Sequence, residues 1–278
     1  MKATKLLILL TFILTGLTFS SCSDDDENEK TINTFGPKNV FTGDLPKTVG
    51  ISSVKYNTEG LVEEMSNLYY KITFEYQTKL KSANDTKSVL MTVNDLEDPE
   101  NSYTAVFEIG ENGFASKALE TYVDKTTDTW EFKYNNDGQL NYMKRSEGDN
   151  EITTITYTDG NITGIKMVSD DKNEGTYSAS IAYTSEVHSK GIENKGCIML
   201  FDITFGIDMD EMEIAYYAGL LGRATKNLPL TMTQTYTYSD EPSSSNTYNF
   251  DWTLNAKGYP VKVNFEDEED MDFIEFAW

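Results

Sequence analysis

The chain has 278 residues, with 46 Asp and Glu against 23 Lys and Arg and a single His, for a formal net charge of −23. So acidic a chain lacks the clustered Lys and Arg that phosphate contacts require. Nucleic acid is therefore excluded as a partner, and so is attraction by charge to an anionic membrane surface. Its two cysteines, Cys22 and Cys197, are too few for a cysteine metal site.

The first residues set the address. Lys2 and Lys5 form a positive n-region, residues 6–17 an apolar stretch too short for a spanning helix, and Ser20-Ser21-Cys22 places small residues before a cysteine. This is the pattern of a bacterial lipoprotein signal, with Phe19 three places upstream where Leu is commoner. Residues 1–21 read as a signal peptide and Cys22 as the site of lipid attachment. Removing the leader takes Lys2 and Lys5 with it and leaves a mature charge of about −25. With Cys22 acylated no intrachain disulfide can form; Cys197, beside Ile198, Met199 and Leu200, reads as a small buried hydrophobe. The run Ser23-Asp24-Asp25-Asp26-Glu27 resembles the export signal that sends lipoproteins of the Bacteroidota to the outer face of the outer membrane. The expected location is thus an outer-membrane lipoprotein exposed at the cell surface, with the periplasmic face as the alternative. Residues 22–47 are expected to form an acidic tether that becomes ordered near its end.

From 48 to 278 the pattern is that of one antiparallel β domain. Val54, Tyr56, Gly60 and Leu61 open it with a strand end, a turn and a restarting strand. Residues 69–79 alternate, with Tyr70, Ile72, Phe74 and Tyr76 on one face, and 88–93, 103–109 and 114–123 continue the alternation. The opening unit recurs twice within 130–168, as Phe132, Tyr134, Asp137, Gly138, Leu140 and as Ile155, Tyr157, Asp159, Gly160, Ile162. Tight hairpins need positive φ, which Gly accepts freely and Asn or Asp accept tolerably. Tyr177, Ala179, Ile181 and Tyr183 share the next face. Residues 208–221 break the rule: Met212, Ala215, Tyr216, Gly219 and Leu220 fall at helical spacing, with acids at the start. This predicts one substantial helix, covering an open end of the sheet or filling the space inside it. Residues 231–239 alternate again, and a degenerate hairpin unit occupies 250–260. A dozen or so strands in one meander predict a mainly all-β, barrel-like antiparallel sheet.

The SCSDDD leader, the Tyr-x-x-x-Gly hairpins and the Gly-Leu-Leu-Gly to Asn-Leu-Pro stretch at 219–229 together resemble a Bacteroidota lipoprotein family of unknown function with a porin-like fold. The resemblance covers nearly the whole mature chain and implies a barrel-like sheet; it implies no reaction. The hairpins are also similar to the Tyr-Asp repeats of secreted toxin shells, which carry Arg after the turn Gly; Leu61, Gln139 and Asn161 stand there instead. The ending Ile274-Glu275-Phe276-Ala277-Trp278 is similar to that of outer-membrane barrels, but Lys, Asp and Glu interrupt most strands. Charges facing lipid near the midplane cost about 2 to 4 kcal/mol each, so a water-soluble, lipid-tethered barrel is expected.

Catalysis is poorly provided for. His188 stands alone in a polar loop, and no acid among the 46 stands out as a raised-pKa partner for glycoside hydrolysis. Asp208, Asp210, Glu211 and Glu213, or the acids of 266–272, offer oxygen ligands without the spelling of a calcium loop. No catalytic residue, cofactor or metal site is assigned. Seventeen Tyr and three Trp favour an aromatic face or apolar pocket for a glycan, peptide or other small ligand. An accessory subunit docked on an outer-membrane complex is the alternative, and a carboxylate hydrolase the third.

Overall fold

A computed structural model describes residues 36–77, 87–170, 175–238, 242–267 and 270–278. Cys22 and the acidic run after it lie outside them. Strands β1 (Thr48–Val49), β2 (Ser52–Tyr56), β3 (Val62–Ser66), β4 (Tyr70–Gln77), β5 (Ser88–Asp95) and β6 (Tyr103–Ile109) lead into β7 (Ala115–Tyr122), β8 (Thr127–Tyr134) and β9 (Leu140–Arg145). Then come β10 (Ile152–Thr158), β11 (Asn161–Val168), β12 (Thr176–Ala182), β13 (Ile192–Glu193), β14 (Asn227–Leu228), β15 (Thr231–Thr237), β16 (Ser244–Leu254), β17 (Pro260–Asp267) and β18 (Asp270–Ala277). All but β13 and β14 form one closed antiparallel barrel, each strand beside the next in sequence, with the two-residue β1 closing it between β2 and β18.

Period-two alternation decides which face is inside. On β4, Ile72 and Phe74 are buried while Lys71 and Glu75 are exposed. Glu108, Lys117, Glu131, Lys133, Thr154, Lys166, Ser180 and Asp251 are likewise exposed on other strands. Outward Thr233 and Thr247, opposite each other on β15 and β16, bring their hydroxyls to 3.0 Å. The polarity is therefore the reverse of a membrane barrel: the apolar positions point in and the charges point out.

Sixteen strands would ordinarily enclose a wide lumen. Here the excursion between β12 and β15 fills it. It carries the β13–β14 ribbon, a short helix at Phe201–Phe205 and a 3-10 helix at Asp210–Tyr216. Phe205, Met212, Ala215, Tyr216, Ala218 and Leu220 are all 0 % exposed, in one cluster with inward strand residues such as Val62, Phe107 and Ile162. The helix expected within 208–221 is thus present, inside the barrel, but seven residues long and of the tighter 3-10 type. Its continuation is stopped by Gly219, at φ 79°, where a Cβ would stand 2.1 Å from the carbonyl carbon of Gly36. Residues 36–47 are themselves folded onto the barrel, with Val40 and Phe41 buried.

The two ends of the barrel differ. The turns after β2, β8 and β16 lie at one end and are built alike. The Asn57 side chain accepts from the backbone N–H of Glu59 and Leu61, Asn135 from Asp137 and Gln139, and Asn255 from Lys257 and Tyr259. In each, a glycine three residues on takes positive φ: Gly60, Gly138 and Gly258. The plug enters and leaves at this end, where those turns hold it. Arg223 N–H donates to the Gly138 carbonyl and Lys226 N–H to that of Gly160, each at 2.9 Å. Buried Gln139 donates to the carbonyls of Gly160 and Ala224, both at 3.0 Å, and the Asn161 side chain accepts from Thr225 Oγ1 and the Asn227 N–H. Gln139 and Asn161, which follow Gly138 and Gly160, are thus fastenings for the 219–229 strap. The plug's carbonyls are stapled by tyrosines: Tyr134 to Leu220, Tyr177 to Phe205, Tyr216 to Cys197 and Tyr217 to Met199. Buried carbonyls need such donors, which explains these four tyrosines without a ligand.

Candidate functional site: a groove at the open mouth

At the opposite end the plug stops short of the wall and leaves a groove in three adjoining lobes. The first, about 320 Å³, lies between the β1–β2 turn (Val49, Ile51, Ser52), Phe273 and Ile274 of β18, and Leu200, Ile203 and Glu213 of the plug. The second, about 270 Å³, shares Val49, Ser52, Leu200 and Glu213 and runs on to Met65, Asn67, Tyr70 and Tyr217. The third, about 170 Å³, shares Ile203 and reaches Asp202, Gln234, Tyr248 and Phe265. The barrel parity that points Tyr70 and Met65 inward, and the placing of the 3-10 helix under the mouth, bring these side chains together.

The acids around the groove are not alike. Asp210 is 3.3 Å from the Arg145 guanidinium, which also meets Glu151 at 3.3 Å. Glu211 accepts from the Tyr70 hydroxyl, which holds that phenol up at about 12. Glu213 makes no ion pair among the described residues. Burial first, and then the charge of Asp202, push its carboxyl up to about 7, against the opposing hydrogen bonds of the Asp202 and Phe201 backbone N–H groups. A second raised carboxyl, Glu120, lies inside the wall on β7. Burial pushes it to about 7 although Trp130 Nε1 donates to it at 2.9 Å. The hollow beside it, about 730 Å³, is a broad gap between loop tips lined by Tyr122, Asp124, Asp128 and Glu147.

The candidates read from the sequence are distributed unevenly. Asp208, Asp210, Glu211 and Glu213 do come to the mouth, yet no group of three or more His, Cys, Asp or Glu able to hold a metal ion occurs among the described residues. The side chains of 266–271 lie outside those residues. His188 is exposed in its loop, and Cys197 is half-buried at φ 50°. The tryptophans do not form a stacking face. Trp130 and Trp252 are buried, and Trp252 and Trp278 donate to the carbonyls of Pro229 and Pro260. Nothing in the sequence marks Asp202 and Gln234 as site residues, since only the fold brings them together in the third lobe. Glu120 does not stand out in the sequence, and the signal that could have found it is its place at the inward parity shared with Ala118 and Tyr122.

This geometry defines a class of protein, an antiparallel barrel of porin-like architecture with a plugged interior and a groove left open at one mouth. The chain belongs to the family described as a domain of unknown function (DUF4595) with porin-like fold, whose model matches residues 47–262. Among solved structures, a porin-like protein from Bacteroides uniformis ATCC 8492 is similar with TM-score 0.58 at 16% identity, over 81% of this chain and 88% of that one. A porin-like protein from Bacteroides vulgatus ATCC 8482 is similar with TM-score 0.54 at 14% identity, over 81% and 91%. These likenesses concern the fold. None of the curated proteins compared is similar to the chain.

Proposed function

We propose that this protein is a lipid-anchored envelope protein whose barrel stands in water and binds a small ligand, a glycan or a compact amphiphile, in the groove at its open mouth. The observation that carries the reading is the groove itself: a concave, mixed apolar and polar surface, lined by converging polar groups, in an otherwise filled barrel. The polar outer wall supports a barrel in water, because each outward charge would be costly in lipid. Gly36 packs near the turn end, against Leu61 and Ala218.

The alternatives have less behind them. For an accessory subunit, the relevant feature is an outward apolar row, Leu90, Val106 and Leu119, adjoining across β5 to β7. It is narrow beside a standard docking surface. For a carboxylate hydrolase, Glu213 has the raised acid, but its carboxyl is engaged by the backbone N–H groups of Phe201 and Asp202 and so fastens the plug.

The barrel from Gly36 onward closes one continuous core, so the chain beginning at Ser23 is the form to screen. A glycan array and a dye-displacement screen, repeated on Ser52→Trp to fill two lobes of the groove, test the reading. A ligand lost in Ser52→Trp supports it. No ligand from either screen, together with a membrane protein that co-purifies stably, would overturn it.

A further inference from the structure

We infer that the groove's ligand carries a positive charge on an apolar body, that is, an amphiphilic amine whose ammonium group sits at Glu213. The inference rests on the groove being the binding site. It follows from how the lobes are lined. Val49, Leu200, Ile203 and Ile274 give an apolar bed. Asp202, Asp210, Glu211, Glu213 and Glu275 supply acids to the three lobes, and no Lys or Arg lines any of them. A ligand anion would meet only like charge. A neutral apolar ligand would leave the acids beside it without compensation.

The acids narrow the choice to one position. Asp210 has Arg145 as its counter-charge and Glu211 has the Tyr70 hydroxyl, Asp202 lines the smallest lobe alone, and Glu275 is exposed on β18. Glu213 lines both of the larger lobes, carries no ion pair among the described residues, and takes the backbone N–H groups of Phe201 and Asp202. A carboxylate has about four acceptor sites, so two backbone N–H bonds leave room for an ammonium group. The arriving cation supplies the charge that the fold withholds from Glu213, while the chain's acidity, net −23, concentrates cations near the mouth. Carbon chains then lie along Leu200 and Ile203, which pass from the first lobe to its neighbours.

Three ligands with one body and different heads make the test: octylammonium, octanol and octanoate, titrated by calorimetry into the chain beginning at Ser23. Octylammonium is expected to bind about tenfold more tightly than octanol, the equivalent of one charge-assisted hydrogen bond. Octanoate should show no binding, and added salt should weaken octylammonium alone. Glu213→Gln keeps an acceptor for the two backbone N–H groups and should bring octylammonium down to octanol's affinity, whereas Glu211→Gln, whose carboxyl is taken by Tyr70, should leave octylammonium binding unchanged; should Glu213→Gln unfold, salt-independent binding of octylammonium to the wild type overturns the charge assignment by itself. Octanol binding as well as octylammonium, or a glycan binding where none of the three does, overturns the charge assignment and leaves the groove standing. Silence from all three ligands and from the glycan array overturns both.

Discussion

Replacing Glu120 with Gln probes the barrel wall through its pH dependence. Glu120 is 4% exposed, and burial raises its carboxyl from 4.5 to about 7. At a pH between those values the folded chain holds a proton that the unfolded chain has released. Stability therefore falls as pH rises through this window and levels off above it. A shift of that size corresponds to about 3 kcal/mol lost by the wild type between pH 4.5 and pH 8. Gln has no charge to desolvate and still offers Trp130 Nε1 an acceptor at the 2.9 Å position. Urea unfolding at pH 5, 6, 7 and 8 should thus show the variant gaining on the wild type with each step, up to about 3 kcal/mol at the top of the range. Glu213, also raised to about 7, adds a slope of the same sign, so the wild-type curve flattens further in the double variant with Glu213→Gln. Glu64, which Lys55 and Lys71 hold down at about 2, contributes in the opposite sense, its share being lost only as pH falls below its ordinary 4.5. Parallel curves for wild type and Glu120→Gln from pH 5 to 8 would refute the argument.

The fastening of the plug gives two further predictions. Gln139→Ala removes the donor to the Ala224 carbonyl, while the Gly160 carbonyl keeps the Lys226 N–H, and should cost about 1 to 3 kcal/mol in urea unfolding by orphaning one buried acceptor; an unchanged midpoint would show that the strap is held elsewhere. Gly219→Ala drives a methyl group into Gly36 at a positive φ, and should release residues 36–41 to limited proteolysis before the barrel unfolds; an undisturbed digestion pattern would contradict that packing. On the outside, Thr233→Lys places a charge in mid-strand on the outer wall, and a change below about 0.5 kcal/mol without detergent is expected of a wall in water. A large loss of stability, or a need for detergent, would count against the outward polarity.

Much of the architecture is legible in local spelling. Alternation at 69–79 foretells which of Tyr70, Lys71, Ile72, Phe74 and Glu75 face inward, because a strand's side-chain period leaves no other choice. The Asn and Gly turns foretell the meander. Gln139 and Asn161, standing where an Arg might follow the turn glycine, are visible as a departure, but their purpose is not. Each holds residues 85 or 64 to 66 positions away, and no local rule reports that. Helical spacing at 208–221 overstates the helix for a related reason: the spacing is real, but Gly219 meets Gly36 only after the chain has closed.

The sequence by itself determined the antiparallel sheet, its inward and outward faces and the acidity that governs what can approach it, since these depend on side-chain period, turn sterics and charge. The tertiary structure decided that the lumen is filled, that Tyr134, Tyr177, Tyr216 and Tyr217 staple the plug and that Glu213 stands at the rim of a groove with no counter-charge among the described residues. Those facts arise where the plug meets the wall, between segments far apart along the chain. Burial and the distance to the nearest cation are properties of that meeting, and no stretch of sequence carries them alone.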